Sequence, residues 1–224
     1  MDGWALLLTP VNLQFLARGL LTTLELSVIS CVLGALLGAV IGIYRGQALG
    51  MWRWPATLYV DALRNTPMLV LLFFVRFGPP TVGIPMEPFV AALVALTIYN
   101  SAFLAEIFRA GTQSVPRGQW DAAVASGLRP IRVYLQIVLP QAIRNMLPAL
   151  VGQLVVAVKS TALVSTINVL ELTESGTIIF VRYSNPLQTF ALLAVIYFLV
   201  NSALSQSGAL MERRWRAAGI APAE

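Results

Sequence analysis

The sequence predicts an all-α integral membrane protein, and three observations carry that prediction. Hydrophobic residues make up 58% of the 224-residue chain and charged residues only 11%, with a mean hydropathy of +0.77. That leaves too little polar surface to coat a soluble globule of this length. Uncharged apolar runs recur at the length a helix needs to cross a bilayer, about 20 residues. Basic residues collect in alternate connecting segments, the mark of loops on the cytoplasmic face of a membrane.

Five spans are expected, at about 20–44, 55–77, 88–108, 142–166 and 187–210, in a single transmembrane domain of residues 1–224. The second is the hardest to read. Between Arg64 and Arg76 only a short apolar run, MLVLLFFV with its flanks, is present, so a spanning helix has to begin upstream near Pro55 and carry Asp61 and Arg64. Three residues apart, those two are placed to pair on one helical face near the headgroups. The N-terminal stretch does not read as a cleaved signal, because Asp2 opens it, Pro10 breaks its apolar run and Arg18 follows. Thr22 and Glu25 have capping-box spacing at the start of the first span.

Orientation follows from the 15 basic residues. With the N-terminus outside, eleven of them (Arg45, Arg53, Arg64, Arg109, Arg117, Arg129, Arg132, Arg144, Arg213, Arg214 and Arg216) fall inside. Only four, Arg18, Arg76, Lys159 and Arg182, then fall outside or in the outer half. The expected topology is therefore N-terminus outside and C-terminus cytoplasmic, with a long cytoplasmic loop over about 111–140. On the outer side lie the turn-rich connector GPPTVGIPMEP (Gly78–Pro88) and the piece Val169–Asn185.

Whole classes of function are disfavoured. The chain has no His and one Cys, Cys31, so no metal, haem or iron–sulfur set and no intrachain disulfide is expected. An intramembrane Asp dyad is disfavoured because Asp2, Asp61 and Asp121 map to different regions. The basic excess accompanies no basic run or aromatic–basic interleaving, which argues against nucleic acid; it reads instead as contact with anionic membrane lipid.

The loop around Asp121–Pro140, DAAVASGLRPIRVYLQIVLP, interrupts this apolar chain. Small residues around Asp121, Ala122 and Ala123 suit a short helix lying close against another surface. Gly127 permits a sharp reversal. Ile131, Tyr134, Leu135 and Val138 then form an apolar stripe at helical spacing, with Arg132 and Gln136 turned away, until Pro140 ends or kinks the helix. Two short angled helices are expected. A docking element and an amphipathic linker lying on lipid both fit that pattern.

The spacing of Asp-Ala-Ala, Gly127, Ile137 and Leu139-Pro140 resembles the EAA loop of bacterial ABC importer permeases, with Asp121 where that family usually has Glu. LRNTPMLVLLFF (Leu63–Phe74), YNSAFLAEIFRAGTQSVPRGQWDAA (Tyr99–Ala123) and LPQAIRNMLPALVGQLVVAVKSTALVSTINVLELT (Leu139–Thr173) are similar to polar-amino-acid importer permeases in particular, over most of the chain from about Gly19 to Arg214. The resemblance implies the type I importer permease fold of five spans in a bacterial cytoplasmic membrane. It also implies a coupling role for Asp121, Ala122, Ala123, Gly127, Ile137, Leu139 and Pro140 against a cytoplasmic ATP-binding subunit. ATP and Mg²⁺ would belong to that partner, since this chain has no G-x-x-x-x-G-K-[ST] loop. A second permease subunit, identical or paralogous, and an extracytoplasmic substrate-binding protein complete the implied partners. The same motifs suit an opine or organic-acid importer; a pore or structural membrane protein is the reading from another class.

Several residues carry paired readings. Gly34, Gly38 and Gly42 recur every four residues, a surface for close helix approach within the chain or between subunits. Arg76 either snorkels to the outer headgroups or meets a substrate carboxylate. Asn100 is a helix–helix bridge or a substrate contact, and Glu106 with Arg109 is a structural pair. Lys159, Ser160 and Thr161 interrupt the fourth span and are candidates for the translocation path. Glu171, Glu174 and Arg182 either face a binding protein or are solvated.

Overall fold

The computed structural model describes residues 3–47 and 50–217; Asp2 and the side chain of Arg216 lie outside the described residues. Helix α1 (Gly3–Leu7) leads into α2 (Pro10–Gln47), and a 3-10 turn (Gly50–Arg53) into α3 (Trp54–Arg64) and α4 (Met68–Phe77). Next come α5 (Pro88–Gln113), α6 (Arg117–Ala125), α7 (Pro130–Val133) and α8 (Leu139–Ser160). The chain closes with α9 (Leu172–Tyr183) and α10 (Pro186–Ala217). Four continuous helical stretches are long and apolar enough to cross a membrane: Pro10–Gln47, Pro88–Gln113, Pro130–Ile167 and Pro186–Trp215. Counting the bent pair Gly50–Arg64 and Met68–Val82 as one span makes five.

Helix α2 begins well before the apolar run. Its 38 residues rise about 57 Å, far beyond a hydrocarbon core of about 30 Å. Pro10 opens the helix rather than breaking it, because the first turn needs no N–H there and the proline φ is already helical. The Thr9 hydroxyl accepts from the Asn12 backbone N–H, and Asn12 Nδ2 donates to the Leu6 carbonyl at 2.7 Å. Thr22 therefore sits inside the helix, where its hydroxyl donates to the Arg18 carbonyl, and the capping box expected with Glu25 is not formed.

The central contact of the fold joins α2 to α5, and the glycine series makes it possible. A Cβ on Gly38 would meet Ala105 N and Ser101 O at 2.8 Å, and one on Gly42 would meet the Ala105 carbonyl. Missing side chains thus let two backbones touch within one chain, which settles the series as internal packing. Beside it runs a buried polar bridge. Asn100 Nδ2 donates to Ser30 Oγ at 3.1 Å, and Gln153 Nε2 donates to Asn100 Oδ1 at 2.9 Å, tying α2, α5 and α8 together. Asn100 is 1% exposed and acts as the bridge.

The region expected as one continuous second span is broken. Helices α3 and α4 meet at a 104° bend across Asn65–Pro67. Pro67 drives Thr66 out of the helical region, and Asn65 Nδ2 turns back onto the Asp61 carbonyl at 2.7 Å to end α3. Met68, Leu72 and Val75 of α4 then pack on Ala91, Ala92, Ala95 and Leu96 of α5. Asp61 does not pair with Arg64; it lies 3.4 Å from Arg45 of α2.

The piece Val169–Asn185 is a packed helix rather than a solvated connector. Helix α9 lies against α2 and α10, and Glu171 at its start is 0% exposed. Glu171 Oε1 accepts the Glu174 backbone N–H at 2.8 Å, a helix cap, while Oε2 accepts from Thr23 of α2 at 3.2 Å and Tyr197 of α10 at 3.1 Å. Burial pushes its carboxyl above the usual carboxylate range, against these donors.

Candidate functional site

Two places combine exposed chemistry with a defined geometry, and helix α8 belongs to both. The first is the hairpin between α5 and α8. Pro116 starts α6, and Ala123 is buried, within the apolar cluster that includes Val133, Val138, Ala142 and Met146, with Trp120 packed against it. Gly127 turns the chain at φ +83, a left-handed conformation costly for any residue with a side chain. The Gly127 N–H donates to the Val124 carbonyl and the Leu128 N–H to the Ala123 carbonyl, closing the end of α6. Arg129 is extended ahead of Pro130, and Pro130 opens α7.

Helix α7 does not stop at Pro140. It passes through a π-turn, Tyr134–Val138, and runs on as α8. Pro140 cannot donate to the carbonyl four residues back, so the wider turn absorbs the defect, and Gln141 Nε2 donates to the Ile137 carbonyl at 2.9 Å. This widening also shifts the inner face. Val133 and Val138 are buried with Tyr134, Ile137, Leu139 and Pro140 half-buried, whereas Ile131 (63% exposed) and Leu135 (52% exposed) project outward, correcting the expected stripe. Asp121 and Ala122 are exposed on α6. Asp121 is the fifth residue of that helix and caps nothing.

The second place is a cleft of about 380 Å³ whose walls include Arg64, Phe103, Glu106, Ser114, Asn145 and Gln153. Glu106 on its wall belongs to a closed charge network. Glu106 accepts from Arg45 at 2.8 Å and from Arg109 through both carboxylate oxygens, while Arg45 also reaches Asp61. The expected Glu106–Arg109 pair is thus one edge of a four-residue network. Arg64 stands outside it: the guanidinium lies over the Phe103 ring, 5.6 Å from its centre, and has no carboxylate within 4.0 Å among the described residues. Asn145 Nδ2 donates to Ser114 Oγ at 2.7 Å, joining α8 to α5 across the cleft.

The residues expected on the translocation path lie outside this cleft. Arg76 donates to the Met86 carbonyl at 2.7 Å and lies over Phe77, holding the connector that follows α4. Ser160 and Thr161 turn their hydroxyls onto the carbonyls of Val156 and Val158, and Thr161 is buried. Lys159 is exposed at the end of α8. None of these, nor Asn100, lines the cleft. What sequence reasoning missed is the set Arg64, Phe103, Asn145 and Gln153. The available signal was Asn145 and Gln153, two amides eight residues apart on one face of a spanning helix.

The family described as binding-protein-dependent transport system inner membrane component matches residues 32–217. A probable glutamine ABC transporter permease protein, GlnP of Bacillus subtilis (strain 168), is 37% identical, over 91% of this chain and 94% of its own. The probable amino-acid ABC transporter permease protein YckA of the same organism is 34% identical, over 91% of this chain and 90% of its own. A crystal structure of an amino acid ABC transporter with histidines superposes with a TM-score of 0.84 and 33% identity, covering 90% of this chain and 94% of that one. The chain therefore belongs to the family of binding-protein-dependent transport system inner membrane components.

Proposed function

We propose that the chain is the membrane-spanning permease subunit of an ATP-driven importer for polar amino acids, with its N-terminus outside, its C-terminus cytoplasmic and five spans in a bacterial cytoplasmic membrane. The observation that carries this reading is the exposed hairpin α6–α7, with Gly127 at its turn and Asp121, Ala122, Ile131 and Leu135 on its outer surface. An ATP-binding subunit docks there, and ATP and Mg²⁺ bind in that partner. Ile137, Leu139 and Pro140 lie in the segment that carries α7 into α8. Because the two helices are continuous through the π-turn, a tilt of the docked hairpin is a tilt of the wall that presents Asn145 and Gln153 to the cleft. That continuity supports alternating access, in which ATPase closure moves the cleft between two openings. A second permease subunit completes the cavity and supplies the second docking hairpin, and an extracytoplasmic binding protein delivers substrate. Similarity to a probable glutamine permease and to an amino acid transporter supports amino acids as cargo.

The test is reconstitution of the chain with its ATP-binding subunit and binding protein in proteoliposomes, scored for ATP-dependent uptake of a panel of amino acids. Uptake that needs both ATP and the co-purifying ATP-binding subunit is expected. A chain that co-purifies with no ATP-binding subunit, or that conducts without ATP, belongs to the pore class and overturns the proposal.

A further inference from the structure

The turn that joins α2 to α3 leaves its largest apolar side chains uncovered. Met51, Trp52 and Trp54 are 82%, 73% and 64% exposed, a contiguous patch that a water-facing loop does not keep without a use. Arg53 stands between the two indoles, exposed, and makes no hydrogen bond or ion pair with any described residue. No acidic residue occurs between Tyr44 and Val60 to offset its charge. Two contacts fix the depth of this patch. No residue between Glu25 and Arg45 is charged, so Tyr44 ends the hydrocarbon run of α2, and its hydroxyl donates to the Trp52 carbonyl at 2.7 Å. Trp52 is thereby held at the level where that run stops. Helix α4 packs along α5, which spans, and α3 with its preceding turn meets α4 at 104°, so α3 runs nearly in the membrane plane. Its uncovered stripe is Trp54, Leu58 and Ala62, four residues apart. Its other side is occupied: Thr57 accepts from Arg45 Nε at 3.2 Å, the Tyr59 and Ser101 hydroxyls share a bond of 2.7 Å, and Val60 is buried.

We infer that this elbow is a lipid site of the cytoplasmic leaflet, in which Arg53 binds the phosphate of an anionic phospholipid while Trp52 and Trp54 seat at the boundary of headgroups and acyl chains. The inference rests on the membrane orientation proposed above and not on the cargo. An indole has an apolar body and one N–H donor, which suits that boundary better than either water or hydrocarbon. A guanidinium meets a phosphate through two parallel N–H bonds. A zwitterionic headgroup brings its own ammonium to that phosphate, so a lipid of net negative charge is preferred. An in-plane helix with an apolar outer edge, at the depth where headgroups are the solvent, fits lipid rather than a protein partner. The site also bears on movement. Arg45 to Asp61 and Tyr59 to Ser101 tie the elbow to α2 and α5, so lipid holds the side of the bundle against which the α7–α8 wall tilts.

The experiment reads lipid contact at the two indoles. The permease in complex with its ATP-binding subunits is placed in phosphatidylcholine nanodiscs doped with rising fractions of phosphatidylglycerol or phosphatidylcholine whose acyl chains are brominated, which quenches nearby tryptophan. The fluorescence of Trp52 and Trp54 is the difference between wild type and a Trp52→Phe/Trp54→Phe double variant. Half-quenching is expected at about a fivefold lower fraction of the brominated phosphatidylglycerol, the worth of one basic group at an anionic surface. R53Q should abolish that preference while keeping the melting temperature and the ATP-binding subunit, and R53K should keep part of it. A difference signal that neither lipid quenches puts the indoles in water or under a protein partner and overturns the inference. Equal quenching by both lipids in wild type overturns it as well, as does a phosphatidylglycerol preference unchanged in R53Q. ATP-driven import in proteoliposomes alongside any of these failures leaves the transport reading standing. Conductance without ATP instead removes the transport reading, while the quenching still reports on the lipid site.

Discussion

Substitution of alanine along the glycine series of α2 should produce a graded loss of stability whose order is set by the distance to α5. A Cβ at Gly42 would run into the Ala105 carbonyl oxygen and lie 3.1 Å from Phe108 Cβ, against an ordinary contact of 3.4 Å or more. The helices would have to part by about 1 Å. Overpacking of that kind costs roughly 1–3 kcal/mol, and because the obstacle is backbone no rotamer change relieves it. Alanine returns about 1 kcal/mol of helix propensity. The expected net loss is about 2 kcal/mol for Gly42→Ala and about 1 kcal/mol for Gly38→Ala, whose Cβ would meet three atoms at 2.8–2.9 Å. Gly34→Ala, at 3.1–3.3 Å, should be close to neutral. Gly46 continues the same spacing, but its Cβ would meet only Arg109 Cγ at 3.8 Å, so Gly46→Ala keeps the propensity gain. At about 2–4 °C per kcal/mol for a chain of this size, Gly42→Ala should melt roughly 4–8 °C below wild type. Fluorescence-detected size exclusion after heating reads this on the purified complex. Gly42→Ala melting with or above Gly46→Ala would refute the internal-packing argument, and dissociation of subunits without a change in melting would assign the series to a subunit contact.

Four further outcomes follow from local structure. Ala123 is buried and Ala122 exposed on α6, so Ala123→Leu should lower the melting temperature of the permease itself, whereas Ala122→Asp should leave it unchanged and reduce pull-down of the ATP-binding subunit; the reverse assignment would show that the hairpin presents its other side. Gly127→Ala meets no atom within 4 Å but must adopt φ +83, and should cost about 1 kcal/mol in melting experiments, with Gly127→Asn tolerated better. Arg76→Ala removes a bond to the Met86 carbonyl, a loss of about 1 kcal/mol, with import retained; loss of import at unchanged stability would make Arg76 a substrate contact. For Glu171 the sign is set by burial. A carboxyl raised in the folded state holds more protons than in the unfolded chain, so its contribution is full below the ordinary value of about 4.5 and is lost as pH rises through the raised value. Melting followed from pH 4 upward should show this decline in wild type and a flatter profile in Glu171→Gln; identical slopes would remove Glu171 as its source.

Much of this architecture is legible because a bilayer leaves few choices. Backbone polar groups in hydrocarbon must be satisfied within a helix, so long uncharged runs announce α2, α5, α8 and α10. The hairpin is equally legible, since Gly127 and Pro130 act locally. What was not legible depends on contacts distant in sequence or on the assumption that a span is one helix. Length arithmetic forced residues 55–77 into a single rod, although Thr66-Pro67 carried the signal for a break. Outside the hydrocarbon nothing penalises further turns, so α2 runs back to Pro10 and α10 on to Ala217. The π-turn is nearly invisible in sequence, and it moved the apolar face of α7 off the stripe that regular spacing predicts.

The polar residues of the spans show why function is harder to read than fold. Asn100, Glu106 and Glu171 all look costly in isolation, and each proves to be consumed: Asn100 by Ser30 and Gln153, Glu106 by two arginines, Glu171 by a threonine 148 residues away and a tyrosine 26 away. Arg64 looked consumed by Asp61, one turn before it, but Arg45 from α2 takes that carboxylate and the Arg64 guanidinium lies over the Phe103 ring instead. Local spacing ranks these groups in the wrong order because an i,i+3 pair competes with partners on neighbouring helices, and the buried competitor holds its geometry at lower entropic cost. A polar residue in a membrane wall gains meaning only after every nearby partner has been assigned.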